Sequence, residues 1–194
     1  MKEEDFVEKI ARKSEPALTA GSCVLRRHDI AEIVKRALLY FNDERYNLSA
    51  WCVMPNHVHV VVSPFGSFEL SRILHSWKSY TSNEINKLLH RKGVLWERES
   101  FDHLIRSVDD WERFVTYTEQ NPVKAGLCQR PEEWPFSSCS AGFQPASSQN
   151  LEFVDPRATP FAPLRSRGKL PHLWKEGGTY FATFCLADAH VTQK

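Results

Sequence analysis

The stretch WCVMPNHVHVVVSP (51–64) carries two histidines, His57 and His59, inside an otherwise apolar run. Side chains two apart on a strand point to the same face. In an extended run His57, His59 and Val61 share one face, and Val58, Val60 and Val62 share the other, the expected core side. Two imidazoles set this way could hold one cation, or could simply line a half-buried sheet face. The pair alone does not decide. A third ligand and a nucleophile would.

Both have a candidate in DDWERFVTYTEQNPVKAGL (109–127). Tyr117 and Asn121 are four apart, so they stack on one helix face if the helix persists to Asn121. A phenol one turn from an amide carbonyl could stand beside a cation that the amide also ligates, though a helix tyrosine is more often a core or interface residue. Asn121-Pro122 either kinks the helix or starts a turn, because the residue before proline disfavours the helical region. Between positions 72 and 106 seven basic side chains outnumber four acidic ones, with Trp77, Tyr80, Trp96 and Phe101 interleaved. That mixture suits a phosphate-and-base surface, and equally an exposed helix over an aromatic core.

The elements that must position these residues are legible in outline. EDFVEKIARKS (4–14) is a short amphipathic helix, and RHDIAEIVKRALLYFNDERY (27–46) a clearer one, with Asp29 as cap and Ile30, Ile33, Val34, Ala37 and Leu38 at helical spacing. YNLSAWCV (46–53) and HVHVVV (57–62) read as strands joined in a hairpin by Met54-Pro55-Asn56. A long helix follows over 68–93, ending near Gly93, then a strand over 100–107 and a helix over 108–120 capped by Asp109 or Asp110. RPEEWPFSS (130–138) is a loop whose Trp134 and Phe136 tuck against the body. Residues 139–168, rich in Ser, Ala and Pro without periodicity, read as a linker. GGTYFATFCLAD (177–188) is a strand that cannot stand alone and must join a sheet.

Composition excludes several classes. With 194 residues, 42% hydrophobic and 25% charged, the chain suits one ordinary soluble domain, alone or with an appendage. The net charge of +1 gives no vote for nucleic acid. No apolar run approaches the ~18 residues that span a bilayer. The acidic, amphipathic start MKEEDFVEKI is unlike a secretion signal, and five scattered cysteines without a CxxC pair argue for reduced thiols in the cytoplasm and against a zinc knuckle.

Taken in order, WCVMPNHVHVVV, a basic helix, YTEQNPVKAGL and RPEEWPFSS resemble the REP-associated tyrosine transposases, members of the single-tyrosine HUH nucleases, named for histidine–hydrophobe–histidine. The likeness covers nearly all of 20–138. It implies that His57 and His59 hold a divalent ion, Mg²⁺ or Mn²⁺, with Asn121 as third ligand and Tyr117 as nucleophile forming a 5′-phosphotyrosine link. The implied substrate is single-stranded DNA carrying a hairpin, with Arg72, Lys78, Arg98 and Arg106 as candidate phosphate contacts and Trp77 as a base-stacking platform. His75, His90 and His103 are expected bystanders, His103 being nearest the site. The implied fold is α+β: a ferredoxin-like antiparallel sheet (the HUH endonuclease fold) of four or five strands, helices mainly on one face and the site opposite. A monomer is expected, with a strand-swapped dimer as the rival assembly.

One feature departs from that family, whose members begin with a strand resembling RGKLPHLWKEGGTYFATFCLAD. Here the segment lies at 167–188, so a circular permutation is expected: a main domain over 1–138, a linker over 139–168, and a strand segment over 169–194 completing the same domain. A hairpin-binding protein with little or no catalysis is the alternative function, and a phosphoesterase using water in place of tyrosine a third.

Overall fold

β1 (Tyr46–Val53) and β2 (His57–Pro64) form the expected antiparallel hairpin, closed where the Met54 N–H donates to the His57 carbonyl at 2.8 Å. The computed structural model of the chain describes residues 22–140, 143, 153 and 175–188. The helix expected over 4–14 and most of the 139–168 linker fall outside them. β3 (Phe101–Ile105) and β4 (Thr179–Cys185) complete a four-stranded antiparallel sheet in the order β1-β2-β4-β3. The strand nearest the C-terminus is thus central, hydrogen-bonded to β2 on one side and β3 on the other. Its sequence TYFATFC, aromatic and β-branched, is buried throughout.

Helices cover both faces of this sheet. α1 (His28–Leu39) and α2 (Leu70–Leu88) pack on one side, where Ile30, Val34, Leu38, Leu74 and Trp77 meet Leu48, Trp51, Val58, Val60, Val62, Tyr180 and Phe184. α3 (Val108–Lys124) lies on the other, with Phe114 and Tyr117 against Ala50, Val61, Ile105 and Phe181. The majority of helices is therefore on one face as expected. The imidazole face is not left to solvent, however, and β2 is buried along its whole length. A bulge supports this two-sided burial. The β1 register slips between Leu48 and Ala50, so Leu48 and Trp51 point to the same core despite odd spacing. The extra residue, Ser49, accepts a hydrogen bond from Trp111 Nε1 of α3 at 3.0 Å.

Several element ends differ from expectation. Asp29 lies in the first turn of α1 rather than at its cap, accepting from the Ile30 N–H and pairing with Arg27 at 2.7 Å. Ser107, not Asp109 or Asp110, caps α3, its hydroxyl accepting from the Asp110 N–H at 3.1 Å. The two aspartates sit in the first turn, where the helix dipole favours them. α3 continues through Asn121-Pro122 because the proline falls in the last turn, where only one internal bond is lost. Gly126, at φ +69°, then closes the helix: its N–H donates to the Val123 carbonyl and that of Leu127 to the Pro122 carbonyl, both at 2.9 Å. Asn121 consequently stays in helical register with Tyr117.

α2 stops at Leu88, five residues before Gly93, and His90 takes the left-handed position at φ +49°. The Arg91 N–H donating to the Asn86 carbonyl at 2.9 Å seals that end. An L-residue pays for this backbone region sterically, so His90→Gly is expected to raise stability by ~0.5–1 kcal/mol, seen as a higher urea midpoint at unchanged slope.

The outer edge of β1 is covered by the segment that follows α3. The Val53 N–H donates to the Phe136 carbonyl, that of Ser138 to the Trp51 carbonyl, and Trp134 Nε1 to the Val53 carbonyl. Trp134 and Phe136 thus tuck against the body as their sequence suggested. None of the five cysteines forms a disulfide, and no helix among the described residues is long and apolar enough to cross a membrane.

Candidate metal centre and nucleophile

The hairpin register brings the imidazoles into the middle of the α3-facing side. His59 stands opposite Cys52 of β1 and Thr183 of β4, and His57 opposite Cys185. The two Nε2 atoms face each other at 2.9 Å. Each outer nitrogen has an oxygen at 2.8 Å: Asn56 Oδ1 at His57 Nδ1 and Thr183 Oγ1 at His59 Nδ1. Phe181 stacks on the His59 ring, centroids 5.5 Å apart. Both histidines are essentially inaccessible, at 2% and 0% exposure.

α3 brings the rest. Tyr117 meets His59 edge-on at 5.6 Å between centroids, and the Asn121 side-chain amide lies 3.3 Å from His59 Nε2. Lys124, three residues beyond Asn121, places its ammonium 5.3 Å from the Tyr117 ring centroid. Residues 117, 121 and 124 thus line one helix face. Tyr117 and Asn121 each expose 7%.

This donor set fits a divalent ion. Two nitrogens each about 2.1 Å from one cation, at a right angle, lie about 3 Å apart, close to the separation found. Among the described residues no group of three or more His, Cys, Asp or Glu gathers to hold a metal, so a third ligand drawn from them would be of another type. The Asn121 amide oxygen qualifies once the amide is turned to face Nε2. Two imidazoles, one amide and open positions suit a labile ion rather than a closed structural zinc, and suit Mn²⁺ better than the oxygen-preferring Mg²⁺.

Two of the expected DNA contacts are spent elsewhere. Trp77 is 3% exposed, its Nε1 donates to the Tyr46 hydroxyl at 3.0 Å, and it packs on Phe184, so it cannot stack on a base. Helical spacing turned this side chain into the core on the face opposite the histidines. Lys78 Nζ donates to the carbonyls of Glu97, Arg98 and Glu99 at 2.9, 3.3 and 3.2 Å, pinning the approach to β3 instead of meeting phosphate. Arg72 is exposed but belongs to α2, across the sheet from the imidazoles. Arg98 and Arg106 are exposed at the two ends of β3. Of the other histidines among the described residues, only His103 faces the site side, against Phe114 and opposite Phe181.

Burial pushes the Lys78 amine down to about 8. Between about pH 8 and its ordinary 10.5 the folded chain then binds fewer protons at Lys78 than the unfolded chain does. This group's contribution to stability therefore rises across that window. The Cys52 and Cys139 thiols, pushed up chiefly by burial, act in the opposite sense above their ordinary 9.0. The Lys78 effect is therefore read as a difference. The stability gap between the chain and Lys78→Met, from urea midpoints, is expected to move in favour of lysine from pH 8 to 10.5.

An antiparallel α+β sheet with convergent imidazoles on a central strand, faced by a helix tyrosine, defines the class of protein. Residues 23–121, just over half the chain, match the family model described as "Transposase IS200 like", and His57, His59, Tyr117 and Asn121 all lie inside that stretch. The chain belongs to the IS200-like transposase family. It is 30% identical over 112 residues to the REP-associated tyrosine transposase of Escherichia coli (strain K12), covering 55% of this chain and 63% of that protein. It is 26% identical over 99 residues to the putative REP-associated tyrosine transposase of Haemophilus influenzae (strain ATCC 51907 / DSM 11121 / KW20 / Rd), covering 46% and 56%. The chain thus spans about three-fifths of the length of these curated relatives. No solved structure matches it at a significant level.

Sequence reasoning missed three members of the site. Asn56 sat inside the quoted motif but was read as a turn residue only. Lys124 carried a usable signal, being seven residues from Tyr117 and hence on its face. Thr183 carried none, because only strand register brings it to His59.

Proposed function

We propose that the chain is a metal-dependent single-stranded DNA endonuclease and strand transferase acting on hairpin-forming DNA, with Tyr117 as nucleophile. The observation that carries this reading is the convergence of the His57 and His59 Nε2 atoms beside the helix face bearing Tyr117 and Asn121. His57, His59 and Asn121 would hold the ion, which when bound supplies charge stabilisation at the scissile phosphate. The Tyr117 oxygen attacks phosphorus in line, the P–O3′ bond breaks, and a 5′-phosphotyrosine and a free 3′-OH result. The phenol proton leaves as the new bond forms and the departing 3′ oxygen gains one. Reversal, with a 3′-OH attacking the phosphotyrosine, rejoins strands. Tyr117 and Asn121 are nearly buried, so on this reading their surroundings rearrange when DNA reaches them. Arg98 and Arg106 remain as phosphate contacts on this reading.

The same reading takes β4 as the strand with which related proteins begin, carried here on the far side of a linker. Its central position supports this, as does its lying outside the family-matched stretch. So does the Ser22 N–H donating to the Asp188 carboxylate at 3.1 Å, which sets the exit of β4 beside the entry to α1.

The test is incubation with Mn²⁺ or Mg²⁺ and a hairpin-bearing single strand, followed by a denaturing gel. A covalent protein–DNA adduct is expected. Hairpin binding without any adduct or cleavage would overturn the proposal in favour of a binding protein.

A further inference from the structure

The geometry points to Thr183 as a positioning residue that holds the His59 ring through Nδ1 in both of its tautomers, donating to Nδ1 without metal and accepting from it with metal. The inference deepens the metal-site reading above and rests on it.

Asn56 Oδ1 can only accept, so the 2.8 Å contact assigns the His57 proton to Nδ1 and a lone pair to His57 Nε2. A second lone pair on His59 Nε2, 2.9 Å away, would face the first without a proton or cation between them. The metal-free pair therefore needs the His59 proton on Nε2, donated to His57. His59 Nδ1 is then an acceptor, and the Thr183 hydroxyl at 2.8 Å is the donor it requires. Thr183 is 1% exposed, so water does not easily take that place. With a cation bound, both Nε2 lone pairs turn to it and the single proton of His59 sits on Nδ1. The Thr183 oxygen now accepts. The imidazole carries one proton in both states, so nothing is gained or lost overall. A hydroxyl can play both parts by rotating about one bond; a carbonyl or an ammonium cannot. Asn121 follows the same logic once its amide is turned: its nitrogen lies 3.3 Å from His59 Nε2, and in the turned amide the oxygen accepts from the Nε2 proton in one state and ligates in the other.

This makes β4 part of the centre. The residue that orients His59 comes from a strand outside the stretch that carries both histidines, the tyrosine and the asparagine. Partners of this outer kind typically govern metal affinity by about 10- to 100-fold.

Two measurements on the full chain test the inference. The first is the ¹⁵N–¹H imidazole correlation of the metal-free protein, where His57 is expected as the Nδ1–H form and His59 as the Nε2–H form. Finding the proton of His59 on Nδ1 without metal overturns the proposal. The second is Mn²⁺ titration followed by electron paramagnetic resonance. Thr183→Val is expected to weaken binding about 10- to 100-fold, while Thr183→Ser, which keeps the hydroxyl, stays within about threefold. Valine binding Mn²⁺ as tightly as threonine also overturns it. Failure of the unsubstituted chain to bind Mn²⁺ would instead sink the metal-site reading, and the imidazole spectra would still judge the metal-free arrangement by themselves. Circular dichroism of each variant separates lost positioning from lost fold.

Discussion

Tyr117→Phe is expected to abolish the covalent protein–DNA adduct, by at least ~10³-fold, while hairpin binding stays within about twofold. The substitution removes one oxygen. The ring that packs edge-on to His59 and Phe181 remains, and so does its contact with the cluster of Phe114, Ala50 and Val61. Loss of one hydroxyl changes stability by ~1 kcal/mol at most on ordinary hydrogen-bond energetics, too little to unfold a domain. A large loss of adduct with an unchanged melting temperature therefore reports chemistry and not structure. Adduct persisting in the phenylalanine variant would move the nucleophile to another residue. Strand cleavage persisting without adduct would indicate water as the attacking group, the phosphoesterase reading.

The second large effect is expected from deleting residues 169–194, which should leave a chain that does not fold. β4 is the strand both β2 and β3 pair with, so its loss opens two ladders in the interior of the sheet. Tyr180, Phe181 and Phe184 are 0–1% exposed, and they serve both cores: Tyr180 and Phe184 under α1 and α2, Phe181 under α3. Truncating a single buried aromatic to alanine costs ~3–5 kcal/mol. Losing three rivals the whole ~5–15 kcal/mol of a typical domain. The measurement is solubility and near-ultraviolet circular dichroism of the truncated chain, followed by addition of a 169–194 peptide in trans, which should restore both. A soluble truncation with native near-ultraviolet signal and adduct formation would show that the strand is dispensable.

Much of the framework was legible because it depends on local periodicity. The boundaries of β1, the hairpin turn at Met54-Pro55-Asn56 and the same-face placement of His57 and His59 follow from alternation and turn chemistry alone. Helix ends were less legible. Asp29, Asp109 and Asp110 all favour helix starts, and which side chain reaches a backbone N–H depends on the path of the preceding residue, as Ser107 illustrates. α2 ran short of Gly93 because His90 accepted the left-handed position that glycine usually fills. Trp77 and Lys78 show the wider difficulty. A tryptophan and a lysine side by side on a basic helix read as a nucleic-acid surface, yet one faces the core and the other caps three carbonyls, because sequence does not say where that helix docks.

The division for this chain follows from contact distance along the chain. Sequence by itself determined the paired imidazoles on one strand face and the tyrosine and asparagine one helical turn apart, since each relation spans only two to four residues. Only the tertiary structure decided that these two faces meet, because they lie some sixty residues apart and are joined by the docking of α3 on β1 and β2. It alone decided that a strand over a hundred residues further on lies between β2 and β3, with Thr183 turned to His59. Backbone pairing carries no local signature of its partner, so the residue that meets His59 Nδ1 could not be found before the sheet was assembled.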